Sequence, residues 1–124
     1  MKKFFLIGTV LLCYACNNDD DQTQDPVFCT EELRAGLEVT VKDGIAGEFL
    51  TEGVTVVAID NEYKETLENF TGANNFIGAF ERAGTYIITV SKNGYTNKTS
   101  EPIVVGEDIC HVITESLEVI LEKQ

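Results

Sequence analysis

Ala83-Gly84-Thr85-Tyr86-Ile87-Ile88-Thr89-Val90-Ser91-Lys92-Asn93-Gly94-Tyr95 is the stretch that decides the fold class. Tyr86, Ile88 and Val90 fall at every second position, with Ile87 and Thr89 between them and Thr85 and Ser91 on either side. Side chains alternate sides along a strand, so a period of two builds one apolar face, where a helix would need 3.6. Ala83-Gly84 breaks the chain before this run. Asn93-Gly94 ends it with a strong hairpin signal, because both residues tolerate the positive φ that a two-residue turn needs. A strand with one apolar face must bury that face against a second layer.

Working outward, the same period recurs. Downstream, Tyr95–Ser100 is expected to pair back across the turn, with Pro102 limiting the ladder. Ile103-Val104-Val105, a turn at Gly106-Glu107-Asp108, Cys110–Ile113 and Leu117–Leu121 follow. Upstream, Leu37, Val39 and Val41 alternate with Glu38, Thr40 and Lys42, and Asp43-Gly44 is a turn signal. Val54–Ile59 is β-branched and apolar, Asp60-Asn61 supplies turn chemistry, and Tyr63–Leu67 reads as its partner strand. Glu68–Asn75 is a polar loop before the apolar Phe76–Phe80. Thr30–Leu33 has room for one helical turn. About seven short strands with frequent turns predict an all-β protein, a single Greek-key β-sandwich over residues 29–124.

The start of the chain is of a different composition. Lys2 and Lys3 precede Phe4–Leu12, an apolar stretch too short to span a bilayer, and Ala15 is the small residue before Cys16. This predicts a lipoprotein signal peptide over 1–15, cleavage before Cys16 and acylation of its sulfur; the alternative is an ordinary secretory signal. Cys13 stands where such signals usually carry leucine. Two or more acyl chains anchor a protein durably, so Cys16 would tie the chain to a membrane. Residues 16–28 then form an acidic tether, with Asp19-Asp20-Asp21 and Pro26. Loss of the two leader lysines would take the net charge from −12 to −14. Such an acidic chain repels phosphate backbones, which excludes nucleic acid as a natural partner and leaves the membrane contact to the lipid.

There are four cysteines. Cys13 leaves with the leader and Cys16 takes the lipid, so Cys29 and Cys110 remain. An exported protein meets an oxidising space, where such a pair persists as a disulfide. The alternative is two buried free thiols. A metal site has little support, since Cys29 and Cys110 form no CxxC motif and His111 is the only histidine.

The Gly84-Thr85-Tyr86 strand with its Gly94-Tyr95 turn, and the ending Val104-Val105 … Cys110-His111-Val112-Ile113, resemble the carboxypeptidase regulatory-like domains, over residues 29–122. The resemblance implies a transthyretin-like sandwich and, in exported bacterial versions, a bridge from an early cysteine to the one before His-Val. Some relatives carry a second cysteine pair mid-domain; this chain does not. These domains are accessory modules, and the zinc-bearing catalytic unit of the carboxypeptidases is a separate part. The Cys16-Asn17-Asn18-Asp19-Asp20-Asp21 start is similar to that of Bacteroidetes-type lipoproteins. It implies an outer-membrane location, and exposure at the cell surface where the acidic run acts as an export signal.

No residue set names a reaction or a cofactor, and the expectation is a non-enzymatic envelope protein. His111 has Ser91, Ser100 and Ser116 as formal triad partners, but no G-x-S-x-G elbow is present. Glu65 with Glu68, or Glu31 with Glu32, would need a cleft to act as a glycosidase pair. Calcium wants six to eight oxygens in a shaped loop, which the Asp19–Asp21 run does not supply. For ligand binding, to an envelope protein or a glycan, the candidates are Phe70, Asn74, Asn75 and Phe76 around the 68–76 loop.

Overall fold

A computed structural model describes residues 27–124. The expected leader, Cys13, the lipidation site Cys16 and most of the tether lie outside the described residues. The described residues form an all-β sandwich of eight strands: β1 (Leu37–Asp43), β2 (Thr55–Asp60), β3 (Tyr63–Thr66), β4 (Asn75–Gly78), β5 (Gly84–Ser91), β6 (Lys98–Thr99), β7 (Ile103–Val105) and β8 (Glu115–Leu121). One sheet has the order β4-β1-β8. The other runs β3-β2-β5, with β6 and β7 both pairing to β5.

Alternation builds the core. Leu37, Val39 and Val41 of β1 are buried, as are Val56 and Ala58 of β2, Tyr86, Ile88 and Val90 of β5, and Val119 and Leu121 of β8. Their neighbours in sequence face outward, so each sheet contributes one apolar face to a shared interior. The Tyr86 hydroxyl is satisfied there, donating to the Arg82 carbonyl at 2.7 Å and accepting from the Arg82 guanidinium at 2.9 Å. That guanidinium also lies 3.6 Å over the Tyr63 ring and reaches Asp60 at 3.0 Å, which closes one end of the sandwich.

Four local expectations change. The tight two-residue hairpin is at Asn61-Glu62, where Asp60 pairs Tyr63 and Asn61 takes φ 57°; it is not at Asn93-Gly94. At the latter, only Gly94 has a positive φ, 86°, and Tyr95 N–H donates to the Lys92 carbonyl, as in a type II turn. The chain is thereby released from β5 toward the other sheet, where Tyr95 bridges Lys123 and Thr96 N–H reaches the Glu122 carbonyl. Pairing with β5 resumes only at Lys98. Secondly, the Cys110–Ile113 run is a turn with one bridge, Glu107 to Val112, since Asp108 holds its backbone amides. Thirdly, Thr30–Leu33 makes no helical turn; this segment is engaged by side chains described below. Lastly, β4 stops at Gly78, because Ala79 turns to φ 54°.

The first and last strands are neighbours. β1 and β8 run parallel in full register from Leu37 opposite Glu115 to Asp43 opposite Leu121.

Candidate functional site

The densest polar cluster lies at the end of the sandwich where the chain enters the domain. The cysteines expected to pair do so: a disulfide joins Cys29 to Cys110, with Cα atoms 5.3 Å apart. Asp108 shapes the loop that presents Cys110. Its Oδ1 accepts from the backbone N–H groups of Cys110 at 2.8 Å and His111 at 2.9 Å, and its own N–H donates to the His111 carbonyl. These amide donors, His111's first, hold the Asp108 carboxyl below its ordinary range.

His111 follows at once, with only 9% of its surface exposed. Its Nδ1 lies 2.6 Å from Glu81 Oε2, and its Nε2 lies 2.9 Å from Thr30 Oγ1. Glu81 Oε2 also accepts from Arg34 N–H at 2.9 Å, while Oε1 accepts from Val112 N–H at 3.1 Å. Donation from the Arg34 amide, helped by His111 and Val112, lowers the Glu81 pKa. Glu81 itself sits at φ 52° and donates its N–H to the Arg34 carbonyl. Nothing in the sequence marks Glu81 as a partner for a histidine 30 positions away; the pairing depends on how the turn after β4 folds against the loop before β8.

A hydroxyl, an imidazole and a carboxylate in a row have the geometry of a nucleophile triad. The surroundings oppose that chemistry. The concavity beside His111 is lined by Glu32, Glu81, Glu107 and Asp108, which repel a developing oxyanion. The backbone N–H groups of Cys110, His111 and Val112, which could serve as an oxyanion hole, already donate to Asp108 and Glu81. The serines considered from sequence are placed elsewhere. Ser100 Oγ bonds Ile88 N–H and the Glu101 carbonyl, and Ser116 Oγ reaches Glu38. Ser91 lines a separate polar hollow with Lys92 and Asn97. Among the described residues, no group of three or more His, Cys, Asp or Glu side chains is placed to hold a metal ion.

The 68–76 loop is where the chain changes sheets. Leu67 N–H still bonds Val56 of β2, and the next residue, Glu68, exchanges both backbone bonds with Ile77 of β4. The Asn69 side chain spans the loop, donating to the carbonyls of Ala73 and Asn75 at 2.9 and 2.8 Å. The four candidate residues do not share a surface. Phe70 is 51% exposed at the tip and Asn74 is exposed beside it, but Asn75 is half-buried in β4. Phe76 is 3% exposed, a core residue opposite Val39. No protein-family model and no curated protein matches the chain.

Proposed function

We propose that this chain is a non-catalytic, lipid-anchored β-sandwich of the cell envelope. It is held at the outer membrane through acyl chains on Cys16, is related to the carboxypeptidase regulatory-like domains, and serves as a binding or structural module. The observation that carries this reading is the state of His111. The backbone N–H groups beside its ring are already spent on Asp108 and Glu81, carboxylates line the adjoining hollow, and a disulfide is its neighbour. The cluster works as a clasp that fixes residues 29–34 to the loop before β8, so a pull on the tether arrives at a braced point.

Acyl labelling in the bacterium tests the anchor. Labelled fatty acid is expected on the protein and absent from a Cys16→Ser variant, which also leaves the membrane fraction; equal membrane recovery of the two would overturn the anchor. Hydrolysis of ester, peptide or glycoside substrates that disappears in both Thr30→Ala and His111→Ala, with folding intact, would overturn the non-catalytic reading. A second reading, capture of a surface glycan or peptide by the 68–76 loop, has support in the exposed Phe70 ring beside Asn74. Phe70→Ala would then lose an interaction that Cys16→Ser keeps.

A further inference from the structure

We propose that the free edge of β8 is a docking site for an extended, basic peptide strand of a partner protein. The parallel ladder with β1 uses the odd-numbered residues of β8: Glu115 N–H bonds the Gly36 carbonyl, and the Leu121 carbonyl accepts from Gly44 N–H. The backbone groups of Ser116, Glu118 and Ile120 therefore point away from β1. Among the described residues no strand pairs them; the edge is taken up only beyond them, where the Glu122 carbonyl accepts from Thr96 N–H and Gln124 N–H donates to the Gly94 carbonyl.

Opposite this edge, the other sheet ends on a broken strand. β6 and β7 both pair β5, but the register slips by one residue between them, from Thr89 opposite Thr99 to Tyr86 opposite Ile103. The Ser100 hydroxyl accepts the Ile88 N–H across the slip, and Pro102 follows. Such a bulge bends an edge and ends its pairing. It leaves a cleft of about 430 Å³ between the two edges, lined by Ile103, Leu117, Val119 and Ile120 among others. Side chains of an added strand can enter this cleft on alternate positions, while its backbone completes the β8 ladder.

Charge selects the occupant. Glu101, Glu115, Glu118 and Glu122 lie along the two edges, against Lys98 and Lys123; Lys42 is already paired with Glu118 at 2.9 Å. A second copy of this chain fits poorly, because antiparallel β8–β8 pairing about Glu118 would set like charges opposite each other. A strand alternating lysine or arginine with β-branched residues meets both the acid and the cleft. The proposal gives the binding-module reading a partner chemistry and does not depend on acylation of Cys16.

The test uses the Cys16→Ser chain and a synthetic peptide of about ten residues, the upper range of strand length, alternating lysine and valine. Amide exchange at Ser116, Glu118 and Ile120 is expected to slow at least tenfold on binding. Glutamate in place of the peptide lysines should abolish the effect. Glu118→Pro removes an N–H that no strand uses and should eliminate binding; Glu118→Lys should weaken it about tenfold, whether or not the proline variant folds. Unchanged exchange at the three amides would overturn the proposal, as would peptide affinity indifferent to Glu118→Lys. A concentration-dependent dimer that protects the same amides would overturn it in favour of a second copy.

Discussion

At Asp43 a single carboxylate ties three segments together. It ends β1 with 5% of its surface exposed, accepts the Ile45 and Ala46 N–H groups at 2.8 Å each, and takes the Tyr95 hydroxyl at 2.6 Å. Tyr95 first, then the two amides, pull its pKa down to about 2, while the phenol of Tyr95 is pushed up in return. An unfolded aspartate titrates near about 3.9, so the folded form prefers the charged group. Its contribution is fully present above that value and is lost as pH falls toward about 2. Asp43→Asn should lower thermal stability at neutral pH and flatten the fall in melting temperature between pH 4 and 2. Sequence made the turn at Asp43-Gly44 legible, because acid and glycine there have local chemistry. Tyr95 as the partner was not legible, since it lies 52 positions on and arrives only because the Asn93-Gly94 turn carries the chain to the other sheet.

Among the elements, the link from β3 to β4 separates two residues that look alike in sequence. Phe70 and Phe76 both flank a polar loop, yet one stands at its tip and the other fills the core. Phe76→Ala should cost about 3–5 kcal/mol by denaturant titration, and Phe70→Ala under about 0.5. The parity that decides this is set by Asn75 falling opposite Thr40, a long-range register that no local pattern reports. β1, β5 and β8 were legible for the converse reason: an unbroken alternation over seven or eight residues states which side is buried. Where β6 and β7 slip past each other, that alternation fails, and Pro102 is the one local sign of it.

Over the whole molecule, the bridge between Cys29 and Cys110 spans a sequence separation of 81. A loop of that size corresponds to about 4.5 kcal/mol in the chain-entropy treatment of cross-links. Reduction, or paired Cys29→Ser and Cys110→Ser substitution, should shift the urea midpoint down by that energy divided by the unfolding slope. The His111–Glu81–Thr30 contacts would then hold residues 29–34 alone. Cysteine arithmetic made the pair legible, because setting aside Cys13 and Cys16 as expected parts of a leader and a lipid site leaves one pair, Cys29 and Cys110. The neighbours that surround it are products of the packed fold.

The parallel contact of β1 with β8 has a mechanical consequence. Tension applied between Val27 and Gln124 runs along these strands and loads their rungs together in shear, instead of opening them one at a time. With Cys29 linked to Cys110, such tension bypasses β1 through β7 and bears on β8 alone. The oxidised domain can then lengthen only by the roughly 14 residues beyond Cys110, about 50 Å of contour. Without the bridge, about 96 residues can pay out, roughly 330 Å. Single-molecule stretching in oxidising and reducing buffer should show these two extensions. Under load, the cross-link is a limiter on reach: it keeps the two ends of the domain within a few nanometres of each other, even after the last strand has slid free.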